Sequence, residues 1–209
     1  MLRTRIPATR LLAALWLAAA TGAAADEAGF ADRDAALAQL YPGETVVEEG
    51  RGDLDGDGRP ELAVTLSPAA PRGREQELGP WLRVVVFRTN SQGRLERWAA
   101  TAVVGECRHS TLMTVERGSI FLGCTQHLGI HGGENISQHL QFAHRRGTLR
   151  LIGEETEFIR DMNGPHEAFS TTSRNLLTGQ VVERPYVGRA RRHVDSSRQA
   201  TPLTDWEGW

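Results

Sequence analysis

The sequence contains no lysine, and all 24 of its basic residues are arginine. The 26 acidic residues outnumber them, so the formal net charge is −2 with histidine neutral. A domain that binds nucleic acid through its phosphates normally carries an excess of positive charge. The composition therefore argues against a nucleic-acid partner.

Long hydrophobic runs are also scarce. The one at residues 11–20 (LLAALWLAAA) is too short for a stable membrane anchor. Arginines precede it, and small residues at 23–25 (AAA) follow it as a cleavage site would require. This pattern predicts a signal peptide over residues 1–25, a periplasmic location for the rest of the chain, and no membrane span after cleavage. The alternative, an anchor that stays attached, is disfavoured by the short run and the small residues.

Cysteine is nearly absent, since Cys107 and Cys124 are the only two. An exported chain with an even number of cysteines favours one disulfide. A disulfide that closes the loop between residues 107 and 124 would stabilise the fold by about 3 kcal/mol. Two buried free thiols are the alternative.

The 22 glycines and nine prolines favour short strands and turns over long helices. The predicted fold class is mainly β, with antiparallel sheets in a sandwich or an open, barrel-like arrangement and one short N-terminal helix over residues 30–41. Asp32 is the expected N-cap of that helix. Alternation over residues 62–66 predicts a half-buried strand, and turns at residues 117–118, 145–147 and 177–179 predict three hairpins. We expect a single β-rich domain over residues 26–190 and a loosely held C-terminal tail over residues 191–209.

The clearest functional signal is the acidic loop at residues 53–61 (DLDGDGRPE). Calcium takes roughly six to eight oxygen ligands, and an EF-hand-like loop supplies them from alternate positions around a sharp turn. Gly58 stands where that turn is needed. The predicted Ca²⁺ ligands are the carboxylates at positions 1, 3, 5 and 9 and the backbone carbonyl at position 7: Asp53, Asp55, Asp57, Glu61 and Arg59.

This loop departs from the EF-hand at position 12, where Val64 replaces the usual glutamate, and a strand follows it rather than a helix. We expect Glu61 to take over the missing role and the ion to be structural. The alternative is a solvated acidic turn without a cation. Four carboxylates within nine residues repel one another unless a cation or strong donors balance them.

A second candidate is a group of histidines, His127, His131, His139 and His144, with Glu134 between them. Zinc binds three or four such ligands, which would suit a metal-dependent periplasmic hydrolase using the loop at residues 127–139. The glycines in HLGIHGGEN argue against a helix that would align these side chains. A long, exposed binding loop is the preferred interpretation. No motif of a serine hydrolase, a P-loop or a dinucleotide site is present, and we predict no catalytic residue.

The segment GDLDGDGRPELAV resembles the calcium loops of FG-GAP/VCBS repeats, in which an acidic loop precedes a strand. A short helix ending in YPG, one such loop, and the later segments FAHRRGTLRLIG and NLLTG together resemble bacterial periplasmic proteins with a single loop of this kind. Among these are immunity proteins, similar in architecture to lysozyme inhibitors, that neutralise peptidoglycan hydrolases.

The resemblance implies a calcium-stabilised, non-enzymatic binding protein whose partner is an exported peptidoglycan hydrolase. Leu176 stands where relatives more often have tyrosine, which weakens any transfer of inhibitory residues. A structural or adhesion module is a further alternative, although such modules usually repeat the loop. The candidate partner-binding residues are polar or basic: His127, His131, Asn175, Arg191, Arg192 and His193.

Overall fold

The computed structural model describes residues 29–68, 82–103, 110–128, 134–161 and 167–206. These residues form two antiparallel sheets and one short helix, and the described chain contains no closed barrel. The predicted fold class is therefore confirmed. The predicted signal peptide at residues 1–25 lies outside the described residues. In the described part of the chain, no helix has both the length and the apolar character needed to span a bilayer.

Helix α1 (Arg33–Leu40) lies within the predicted range of residues 30–41 and begins directly after the predicted N-cap, Asp32. The side chain of Asp32 accepts a hydrogen bond of 2.9 Å from the backbone N–H of Ala35, which satisfies one free donor of the first turn. The helix ends at Tyr41, since the following proline disfavours a helical conformation there. Ala36 is fully buried against the sheet below.

The small sheet contains four strands in sequence order. The two central strands are buried on both faces, because α1 covers one face and the second sheet covers the other. The predicted half-buried strand over residues 62–66 is thus wrong in its burial, since all five residues are buried. The strands are β1 (Thr45–Gly52), β2 (Glu61–Ser67), β3 (Arg83–Thr89) and β4 (Leu95–Ala100).

The large sheet is an antiparallel meander of seven strands, each paired with its neighbours in sequence. The three predicted hairpins are confirmed, and residues Arg117 and Gly118 form the first turn with positive φ. The strands are β5 (Ser110–Glu116), β6 (Ser119–Leu128), β7 (Glu134–Arg145), β8 (Thr148–Asp161), β9 (Glu167–Asn175), β10 (Gln180–Arg184) and β11 (Arg191–Val194).

The two sheets enclose the main core. Val84 and Val86 of the small sheet belong to one buried cluster with Ile120, Leu122 and Phe142 of the large sheet. Apolar side chains from alternate positions of facing strands fill such a layer. The molecule is therefore layered as helix, small sheet and large sheet, with a second apolar cluster between α1 and the small sheet.

Residues 195–206, which we call the C-terminal strap, are not the loosely held tail that the sequence predicts. Leu203 and Trp206 are buried in the main core, and the indole ring lies edge-on to Phe142 with the ring centroids 5.5 Å apart. The backbone N–H of Leu151 donates to the carbonyl of Thr201 at 2.7 Å. The strap has too few apolar residues to show a period, so its docking depends on tertiary contacts.

The segment just before the strap also belongs to the body of the protein. Residues 191–194 form β11, which pairs with β10 in the large sheet. The expected domain boundary at residue 190 therefore falls inside the large sheet, between two of its strands.

The two sheets meet where β1 passes β5, and glycine permits that close approach. A Cβ atom added to Gly52 would lie 2.7 Å from Cγ1 of Val115, which is closer than real side chains come. Nearby, a carboxylate oxygen of Glu48 accepts a hydrogen bond from the backbone N–H of Met113. The contact between the sheets therefore fixes the C-terminal end of β1.

We expect Gly52→Ala to lower the free energy of unfolding by about 1–3 kcal/mol, because the added methyl group overpacks this contact. In Gly52→Ala/Val115→Ala the second change opens the space, so part of the loss should be recovered relative to Val115→Ala alone. Urea denaturation of the three variants measures the coupling. If the effects of the two substitutions on the free energy of unfolding are additive, this would contradict a direct contact between residues 52 and 115.

Candidate metal centre

The acidic loop connects β1 to β2, and the pair Gly52 and Glu61 closes this hairpin. Leu54, between the first two aspartates, is 3% exposed and belongs to the main core. One apolar side chain thus anchors a polar loop to the body of the protein. The spacing of acidic residues predicts no role for Leu54, although a lone leucine among aspartates and glycines is a visible signal.

The loop is shaped by carboxylates that accept hydrogen bonds from its own backbone. Asp53 accepts from the N–H groups of Gly56 at 2.7 Å and of Gly58 at 3.0 Å, and Asp55 accepts from that of Asp57 at 3.0 Å. Gly56 and Gly58 have φ values of 85° and 83°, which side chains other than glycine rarely permit. The glycines therefore let the chain wrap around the carboxylates.

Three carboxylates converge inside this loop. One oxygen each from Asp53, Asp55 and Glu61 can be chosen so that all three lie within 4.8 Å of one another. Glu61 is only 2% exposed, and its Oε2 accepts a 2.6 Å hydrogen bond from the backbone N–H of Leu54. The three carboxylates could hold a metal ion.

The electrostatics at Glu61 are unfavourable for a bare carboxylate. Burial is the main cause that raises the pKa of Glu61, and the nearby carboxylate of Asp55 raises it further. The backbone N–H of Leu54 opposes this rise but does not cancel it. A buried carboxylate beside other carboxylates costs free energy unless a cation balances the charge.

Asp57, the third predicted carboxylate ligand, is not part of this triad. Its Oδ1 accepts from the backbone N–H of Arg59 at 2.8 Å, and its Oδ2 from the Nε–H of the same arginine at 2.9 Å. These hydrogen bonds lower the pKa of Asp57 below its usual value. Asp57 would have to exchange the guanidinium for an ion to become a ligand, and the role of the Arg59 carbonyl stays a prediction.

The histidines do not form a second centre in the part of the chain that is described. There, the acidic triad is the one group of three metal-ligating side chains that lie close together. His131 and the side chains of His127 and Glu134 lie outside the part of the structure that is described. His139 is exposed on β7, and the ring of His144 packs edge-on against Trp98 with the centroids 5.4 Å apart. His144 therefore contributes to packing.

The candidate partner-binding residues that the structure describes lie on different strands of the large sheet. His127 lies opposite Asn135 where β6 and β7 approach their connecting loop, whereas residues 191–193 belong to β11. Five inter-strand spacings separate β6 from β11, which is about 24 Å. The two regions do not form one continuous patch.

Asn175 and Cys124 have structural roles in the same sheet. The Oδ1 atom of Asn175 accepts from the backbone N–H groups of Leu177 at 3.0 Å and Thr178 at 3.1 Å, so this side chain stabilises the turn after β9. Cys124 is part of a disulfide. Cys107, its predicted partner, lies outside the described residues.

Comparison of the chain with protein-family models, with curated proteins and with solved structures found no match.

Proposed function

We propose that this protein is a calcium-stabilised binding protein of the bacterial periplasm that inhibits a peptidoglycan hydrolase, as an immunity protein does. The convergence of Asp53, Asp55 and Glu61 in one anchored loop is the observation that carries the proposal. The FG-GAP/VCBS-like order of residues in this loop supports it.

The donors in the loop suit calcium. All three converging side chains are carboxylates, and hard cations such as Ca²⁺ prefer oxygen ligands, whereas zinc sites usually include nitrogen or sulfur. When bound, the ion supplies positive charge to the triad. Glu61 begins β2 and Gly52 ends β1, so an ion here would stabilise the hairpin that starts the small sheet.

The surface proposed to meet the hydrolase is β11, the outermost strand at one end of the large sheet as the structure describes it. Arg191, Arg192 and His193 lie on the edge strand β11, and all of them are exposed. The run is basic although the whole chain is net negative. Enzymes that cleave glycan strands carry a pair of carboxylates in a groove, so basic side chains complement such a groove. The same charges also protect the edge from pairing with other chains.

The test is inhibition of purified lysozyme-like hydrolases from competing bacteria, measured by the clearing of peptidoglycan suspensions. We expect one molecule of the protein to inhibit one molecule of its target enzyme. Arg191→Glu/Arg192→Glu should weaken inhibition at least about tenfold, or 1.4 kcal/mol, because these residues would then repel the carboxylates.

Arg145→Glu serves as the control, since Arg145 is exposed on β7, four strands from β11. This variant should inhibit like the wild type. If the wild-type protein inhibits no hydrolase of this class, the proposed partner is refuted. If the β11 variant inhibits as well as the wild type, the proposed docking surface is refuted.

A further inference from the structure

Along one row of side chains, the inner face of the large sheet changes from apolar to polar between β7 and β8. Leu122 of β6 and Leu140 of β7 are opposite one another and buried, but the same row continues with Glu154 of β8 and Arg174 of β9. Residues directly opposite in adjacent strands point to the same face. Along this row the apolar core therefore ends at β7, and polar side chains continue the inner face on β8 and β9.

The next row is polar over three strands. Gln138 of β7, Thr156 of β8 and Thr172 of β9 are paired in register. Within the described part of the chain, no side-chain hydrogen bond occupies the amide of Gln138 or the two hydroxyl groups. This row offers donors and acceptors side by side on a rigid floor.

The C-terminal strap forms one wall of a groove over this floor. The groove has a volume of about 760 Å³, and its lining includes both polar rows and Trp206. Small-molecule sites have volumes of roughly 300–1,000 Å³. The groove is therefore large enough for a ligand of several rings.

Ion pairs hold the strap in place beside the groove. Arg198 Nη1 lies 2.7 Å from Glu154 Oε2, and Arg174 Nη1 lies 2.9 Å from Asp195 Oδ2. Hydrogen bonds from Ser197, followed by Arg174, lower the pKa of Asp195 to about 2, so its carboxylate stays charged at neutral pH. Both arginines of the groove thus have carboxylate partners.

We propose that this groove binds a neutral, hydroxyl-rich ligand, namely a short oligosaccharide. The hydroxyl and amide groups of the floor match the mixed donors and acceptors of a sugar. Phe158 lines the same groove and is 44% exposed, so its ring offers an apolar surface on which a sugar ring can pack. The inference does not depend on the proposed hydrolase partner, because it uses other residues.

Two other ligand classes fit less well. An anion would have to compete with Glu154 and Asp195 for the guanidinium groups. An extended peptide gains its affinity from the free edge of a sheet, whereas the floor here is a sheet face formed by strands paired on both sides. A carbohydrate needs neither a free charge nor a free edge.

The test is titration of the purified protein, in calcium buffer, with cellotetraose, maltotetraose and tetra-N-acetylchitotetraose, followed by NMR of the backbone amides and by calorimetry. We expect at least one tetrasaccharide to bind with a dissociation constant below about 1 mM. The shifted amide signals should centre on residues 154–158 and 170–174. Absence of binding by all three, or shifts confined to other regions, would overturn the proposal.

Thr156→Val and Thr172→Val remove the floor hydroxyls while nearly keeping the side-chain shape, and each should weaken binding about tenfold. Thr171→Val is the matched control, because Thr171 lies next to Thr172 but on the opposite face of β9. The control should bind like the wild type. Unchanged affinity in both floor variants, or an equal loss in the control, would contradict a ligand on this floor.

Discussion

Glu61→Gln is expected to abolish the stabilisation that calcium gives to the wild-type protein. Wild type at a calcium concentration of 100 times Kd should gain about 2.7 kcal/mol over the same protein in chelator. The glutamine keeps the size of the buried side chain but removes a charge that the ion requires. In chelator the variant should be at least as stable as wild type, because it no longer buries a carboxylate beside Asp55.

Urea denaturation with calcium and with chelator measures both effects. Glu157→Gln is the matched control, since Glu157 lies in the large sheet, facing away from the core, and should keep the full calcium response. A wild-type protein whose stability is the same in calcium and in chelator would contradict a metal centre. A full calcium response in Glu61→Gln would exclude Glu61 as a ligand.

Trp206→Ala is expected to lower the free energy of unfolding by about 3–5 kcal/mol, the usual cost of removing a large buried aromatic side chain. Trp206 is 6% exposed and packs against Phe142, so its loss would leave a cavity between the strap and the large sheet. Thermal and urea denaturation measure the change.

Tyr186→Ala is the comparison, because Tyr186 is exposed in the connection between β10 and β11 and its loss should cost less than about 0.5 kcal/mol. Equal stabilities of the two variants would show that residues 195–206 do not belong to the folded core. The strap also forms one wall of the groove, so Trp206→Ala should weaken the binding of any ligand in the groove.

Local signals in the sequence were sufficient for much of the fold. The helix cap at Asp32, the turn at Arg117 and Gly118, and the hairpins depend on residues close in sequence, and all are confirmed. The spacing of Asp53, Asp55 and Glu61 also indicated a shared centre, because alternate residues around a tight turn point inward.

Features that depend on distant parts of the chain were not predictable in this way. Val64 and its neighbours in β2 alternate in sequence but are buried on both faces, since the helix and the large sheet cover them from opposite sides. Leu203 and Trp206 gave no periodic signal, and only tertiary packing shows that they belong to the core. The groove likewise requires the register of three strands and the position of the strap.

The hydrogen bonds by which Arg59 occupies the carboxylate of Asp57 were also not predicted. The sequence places Asp57 among the ligands, but Arg59, two residues later, donates both backbone and side-chain hydrogen bonds to it. Spacing alone does not tell whether a carboxylate turns toward the centre of a loop or toward a neighbouring guanidinium. Calcium binding would have to displace Arg59 before Asp57 could serve as a fourth carboxylate ligand.

The most direct measurement for the metal centre is a crystal structure of the protein grown with calcium, with an anomalous difference map. We expect one peak per chain, with carboxylate oxygens of Asp53, Asp55 and Glu61 at about 2.3–2.6 Å from it. A map without a peak in this loop, with the three carboxylates turned toward solvent, would contradict it.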